Sequence, residues 1–431
     1  MAREFLALLL AVVVMSGSAF PQAAQQPHTP PGKSAPPPSS GSVSQKPVAP
    51  QPSKVPAVDV WQKQMLTLAQ KWGDWLDDSK HMPLAFGVEQ QVWYYDGGRV
   101  YQQIATYTGD AKWNKYADQI LSAYADYIIA GQGGVPGWRI FPRGLWMGYQ
   151  RTKDPKYAEA LDLLGYGNRS TAKPGGGVEL RYFRQHGNGT KAIVPGNPLN
   201  PQWHPEWLRE SAYITDVMVV DELRTGKRHP LLQTAVYDCV VADLNEFMRP
   251  ESATHLGVGG SGSYVSNFMI GLALESLIEY YEMTAGEGKP DTQIPPIVKT
   301  VLDFFWQNCV EQSSGAQYYN SNLTNGGAAA LNGERVLYTT SNLNQLVAPA
   351  FAWYWNFSHD DTYRTRGDLM FSAGVKGAGT NCKTSITDQN YSFAGKEFSQ
   401  NYKWSFDYVK WRTGVPEPAP EVAHPAPKAQ S

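Results

Sequence analysis

The chain has 431 residues, 42% hydrophobic and 12% aromatic, with a formal net charge of −2 at neutral pH. That length allows one large domain or two ordinary ones, and it suffices for a sizeable core. A near-neutral balance argues against a dedicated nucleic-acid or anionic-membrane binder, whose surface would be strongly basic.

Residues 1–24 read as an export signal: Arg3, the apolar run LALLLAVVVM, then small residues in SGSAFPQAA. The run is too short to span a bilayer, so a secreted or periplasmic location is expected. No other stretch approaches the ~18 apolar residues of a transmembrane helix. Residues 25–56 are rich in Pro, Ser and Gln and read as a disordered linker; residues 414–431 repeat that composition as a tail. The folded part is then 57–413.

Within it a turn recurs. YTGDAKW begins at Tyr107, RTKDPKY at Arg151, LRTGKRHP at Leu223, MTAGEGKPD at Met283 and NFSHDDTY at Asn356. Each follows an apolar helical run and precedes an amphipathic one. Gly fits a left-handed C-cap, and Asp, Ser or Pro opens the next helix. Five copies imply an array of αα-hairpins.

One set of helices is expected to start near Asp59, Ala111, Pro155, His229, Gln293 and Asp361. The other starts near Glu89, Arg139, Pro205, Ser263, Thr340 and Asn401. The second set is apolar nearly all round, as in SNFMIGLALESLIEYY, and so belongs inside. The expected fold is all-α, an (α/α)6 toroid of six inner and six outer helices. Short turns lie at one end and long, Gly- and aromatic-rich connections at the other, where binding residues concentrate.

The turn written [YR]-x-T-G-D-x-x-[WY] resembles that of α/α-toroid carbohydrate-active enzymes, the six-hairpin glycosidases and toroidal polysaccharide lyases. The resemblance implies a glycan groove at the inner-helix N-termini and a polysaccharide or oligosaccharide partner. The near-neutral charge, independently, leaves nucleic acid out of the expected partners.

A sugar groove needs flat aromatic faces and planar hydrogen-bonding side chains. The long connections supply Trp93, Trp138, Trp203, Tyr264 and Tyr391, with amides at Gln90, Asn342, Asn344 and Asn401. The competing reading of each ring is packing beneath its loop. Arg139, Arg143, Arg181, Arg184, Lys191, Lys396 and Lys403 outnumber acids such as Glu397 there, which suits an anionic glycan.

Hydrolysis needs two carboxyl groups. Candidates are Glu89, Glu210 and Asp388, with Glu206 behind Pro205 better suited to compensating a helix dipole. Elimination at a uronate would instead need a proton-abstracting Tyr or His beside cations; Tyr182, Arg184 and His186 could supply them, and His204 also lies at this face. A glycoside hydrolase is the favoured reading, a lyase the second, and a non-catalytic glycan-binding envelope protein the third. GVGGSG at Gly257–Gly262 lacks the strand that a dinucleotide loop requires. Cys239, Cys309 and Cys382 lack metal-ligand spacing. No cofactor or metal is expected.

Overall fold

The recurring turns share one hydrogen-bond pattern. At Thr108-Gly109-Asp110 the threonine hydroxyl donates back to the Ile104 carbonyl at 2.7 Å and accepts the Asp110 N–H at 3.2 Å. Asp110 then caps the next helix by accepting the Lys112 N–H at 3.0 Å. Thr152-Lys153-Asp154 and Ser358-His359-Asp360 repeat all three bonds within 0.1 Å. The middle residue is left-handed each time, at φ 68° for Gly109 and 58° for both Lys153 and His359.

The computed structural model describes residues 54–89, 91–166, 207–248, 265–321, 330–331, 334–335, 339–381 and 391–414. All belong to one unit, Gln51–Ser431. The described helices are α1 (Val58–Asp77), α2 (Gly97–Thr108), α3 (Trp113–Ala130), α4 (Pro142–Thr152), α5 (Pro155–Tyr166) and α6 (Trp207–Thr225). A π-helical turn at Thr234–Val241 leads into α7 (Ala242–Met248). There follow α8 (Phe268–Gly286), α9 (Ile294–Asn308), α10 (Ala348–Ser358), α11 (Asp361–Asn381), α12 (Tyr391–Tyr402) and α13 (Ser405–Thr413).

They close into two rings. Inside, α2 packs on α4, α4 on α6, α6 on α8, α8 on α10 and α10 on α13, while α12 returns to α2. Outside, α1 touches both α3 and α11. The closing seam is specific: the Trp61 indole N–H donates to the Ser405 hydroxyl at 3.0 Å, with its ring against Tyr402 and Phe406. This is the (α/α)6 toroid. Sequence pattern sorts the rings. On α3 only the stripe Trp113, Tyr116, Ala117, Ile120, Leu121, Tyr124, Ala125 and Ile128 is buried. On α8 every residue from Phe268 to Ile278 is buried, each large aliphatic contributing about 1.5–3 kcal/mol.

Several helix starts differ from the sequence reading; those expected near His229 and Ser263 begin five residues later, at Thr234 and Phe268, and the one near Thr340 opens as the 3-10 turn Ser341–Leu346 before α10. The first inner helix begins at Gly97, not near Glu89, because Tyr95 and Asp96 are both left-handed, at φ 59° and 60°. The sixth begins at Tyr391, not near Asn401, and breaks after Tyr402 before resuming at Ser405. Between α9 and α10 the chain also forms a two-residue ladder, Val310–Glu311 with Ala316–Gln317, which no periodicity announces.

Candidate functional site

At the end where the inner helices begin, three segments converge on the short helical turn Gly137–Arg139. Trp138 donates its indole N–H to Glu89 Oε1, and Arg139 adds two bonds to the same oxygen, from Nε at 3.2 Å and Nη2 at 3.1 Å. Beneath the turn, the Tyr124 hydroxyl donates to the Arg139 carbonyl and accepts the Phe141 N–H at 3.0 Å. Gly137 abuts α6, where a Cβ would stand 2.7 Å from Glu210 Cγ. Glu89 and Glu210 therefore both meet this one turn, and a side chain at residue 137 would force Glu210 to shift.

Glu210 is 5% exposed and accepts from Arg209 Nε and Nη2 at 3.2 and 2.9 Å. Tyr94 feels Glu89, Glu210, Arg139 and Arg209 together; burial dominates and pushes its hydroxyl well above the usual range, so it stays protonated. Lys396 of α12 stands over the rings of Tyr94 and Tyr95, 5.7 and 5.9 Å from their centroids. Burial lowers its ammonium pKa while nearby Glu89 and Glu397 oppose that shift and Arg209 adds to it. Burial raises the Glu397 carboxyl, against the pull of Lys396. Arg139, Arg209 and Lys396 thus bring three cations to the rim.

Deeper, inner helices carry a charge cluster. Arg99 pairs with Glu275 at 2.7 Å, Asp407 at 3.2 Å and Glu279 at 3.5 Å; Lys403 takes the other oxygen of Glu275 at 2.6 Å. Arg143 forms an ion pair with Glu279 and lies 3.9 Å from Asp216. Burial and the neighbouring Glu279 push the Asp216 carboxyl far up, whereas Arg143 and Arg99 hold Glu279 low despite its burial.

The structure redistributes the expected residues. Glu89, Trp138, Arg139 and Glu210 come together at the rim. Arg143 does not join them; it is committed to the deeper cluster. Trp93 is a correction: at 1% exposure it packs with Phe86, Tyr94 and Phe141 and donates to the Val88 carbonyl at 3.1 Å. Asn344, fully buried, is a second, since its side chain ties Gly315, Gln317 and Met370. Asn401, 1% exposed and bonded to the Glu397 carbonyl at 2.8 Å, is a third. Asn342 is half-buried in the 3-10 turn Ser341–Leu346, and Tyr391 opens α12. Gln90, Tyr182, Arg184, His186, Trp203, His204, Glu206, Tyr264 and Asp388 lie outside the described residues.

Tyr94, Tyr95 and Arg209 were missed, and Lys396 and Glu397 figured only as rim charges. Arg209 beside Glu210 in LRES was the one legible signal. Among the described residues no group of His, Cys, Asp and Glu could hold a metal ion. No described helix is long and apolar enough to cross a membrane. A groove of about 580 Å³ outside the ring is lined by Asp59, Lys63, Gln64 and Thr67 of α1 and Ala378 of α11. It holds one carboxyl group and so lacks the pair that glycosidase chemistry requires.

No protein-family model matches the chain, and no curated protein matches it. Among solved structures, a glycoside hydrolase of family 105 from C. acetobutylicum aligns at 12% identity with a TM-score of 0.48, over 81% of this chain and 99% of that one. An unsaturated glucuronyl hydrolase from Streptococcus agalactiae aligns at 10% identity with a TM-score of 0.48, over 86% and 98%.

Proposed function

We propose that the protein is an exported glycan-cleaving enzyme, a glycoside hydrolase acting on an anionic polysaccharide or oligosaccharide. The observation that carries the reading is that Glu89 and Glu210 both meet the Gly137–Arg139 turn, Glu89 through Trp138 and Arg139 and Glu210 against Gly137. A pair of carboxyl groups, one acting as acid and the other as base or nucleophile, is what glycosidic hydrolysis requires. In this reading they serve water activation or attack at the anomeric carbon, while Trp138 offers a ring whose orientation Glu89 fixes. Arg139, Arg209 and Lys396 supply cations for acidic substituents of the sugar. Export is supported by the composition of residues 1–24.

The test is a panel of neutral and uronic polysaccharides incubated with purified protein. Hydrolysis releases reducing ends without ultraviolet absorbance. A conjugated uronate product would support the lyase reading, and retention in an affinity gel with neither signal would support a binding protein.

A further inference from the structure

Glu89 lies in the connection between α1 and α2, and its partners Trp138 and Arg139 lie in the turn before α4. Neither segment is part of a helix long enough to fix the distance between them. A loop holds reacting groups in place only when a rigid scaffold carries it. Two buried aromatic side chains supply that scaffold.

Trp93 donates its indole N–H to the Val88 carbonyl at 3.1 Å, one residue before Glu89. Tyr124, on outer helix α3, donates its hydroxyl to the Arg139 carbonyl and accepts the Phe141 N–H at 3.0 Å. That hydroxyl spends its donor and an acceptor on one short segment, so it pins the end of the turn at two points. The Trp93 and Tyr124 rings lie 6.3 Å apart and 24° from parallel, and Phe86 and Phe141 pack on both. Close packing leaves such rings a single setting. Val88 and Arg139 are thereby held in register, and Trp138 and Arg139 meet Glu89 at one oxygen, Oε1. The Glu89 side chain still keeps 33% of its surface open to solvent.

We infer that Tyr124 is a positioning residue for the reaction: its hydroxyl, with the Trp93 indole as counterpart, sets Glu89 against the substrate through the Gly137–Arg139 turn. The inference rests on the glycosidase reading above. Without the hydroxyl the Tyr124 ring still packs, but the turn loses both bonds. Trp138 and Arg139 move with the turn, and Glu89 moves with them. A displacement of about 1 Å at a reacting group costs roughly 10²-fold in rate. Burial also pushes the Tyr124 hydroxyl far above its ordinary pKa, so it stays a donor wherever the enzyme is assayed.

A matched pair of variants tests this. Tyr124→Phe removes the hydroxyl and keeps the ring. Tyr101→Phe is the control: Tyr101 is also buried, and its hydroxyl donates to the Ala69 carbonyl at 2.9 Å, a bond between α2 and α1. On the polysaccharide that wild type cleaves, Tyr124→Phe should lose about 10–10²-fold in kcat with KM changed less than about threefold. Tyr101→Phe should change either constant by less than about twofold at a similar melting temperature. A merely structural role would treat the two tyrosines alike; equal losses, or a folded Tyr124→Phe that cleaves at the wild-type rate, overturn the inference alone. In a Glu89→Gln background Tyr124→Phe should add no further loss, because the carboxylate it positions is gone. Full multiplication of the two losses overturns the inference as well. Should Tyr124→Phe fail to fold, Trp93→Phe takes its place in both comparisons, and an unchanged kcat there overturns the inference. Wild type inert towards every polysaccharide of the panel overturns the glycosidase reading itself.

Discussion

Asp96 Oδ2 accepts the Gly144 backbone N–H at 2.9 Å while its Oδ1 accepts that of Arg99 at 3.3 Å, so one carboxylate caps two neighbouring inner helices. The contact leaves no room for a side chain at residue 144: a Cβ there would stand 2.2 Å from Asp96 Oδ1 and 2.8 Å from the Arg99 nitrogen. Gly144→Ala should therefore cost about 2–3 kcal/mol, read as a lower urea midpoint.

The same carboxyl predicts a pH dependence. Burial raises Asp96 from 3.8 to about 6, against the pull of Arg99 and the two backbone bonds. The folded form then holds a proton that the unfolded chain releases. Its stabilisation is complete below pH 3.8 and is lost as the pH rises through about 6, a swing of about 3 kcal/mol. Asp96→Asn should flatten denaturation midpoints across that window, at the cost of one accepted hydrogen bond.

The deeper cluster predicts an asymmetry between two acids. Burial and the neighbouring Glu279 favour the protonated form of Asp216, which an amide mimics, so Asp216→Asn should cost only about 1 kcal/mol. Glu279→Leu instead strips Arg143 of its ion-pair partner and weakens the setting of Arg99, and should cost about 3–5 kcal/mol. Paired denaturation curves would check both.

Lys153 and His359 occupy left-handed positions that Gly109 fills in the first turn. Lys153→Gly and His359→Gly should each gain about 1 kcal/mol, measured by the same midpoints.

These turns were legible because their chemistry is local: Thr or Ser, a left-handed residue and Asp within three positions fix the same bonds each time. Glu210 was legible for a similar reason, since WLRES opens a helix at the expected place. Glu89 was placed at the right end but in the wrong local structure, because Tyr95 and Asp96 turn left-handed without the glycine that usually signals it. Trp93 resembles a ligand platform by sequence alone, but the rings of Phe86, Tyr94, Tyr124 and Phe141 surround it and it is 1% exposed. The Arg99–Asp407 pair spans 308 residues and becomes visible only when the ring closes.

The carboxylate pair at the ring mouth is tested most directly by Glu89→Gln and Glu210→Gln, assayed for reducing ends on the polysaccharide that wild type cleaves. Each variant should lose at least about 10²-fold in kcat with a melting temperature close to wild type. Two folded variants that cleave at the wild-type rate would contradict the account.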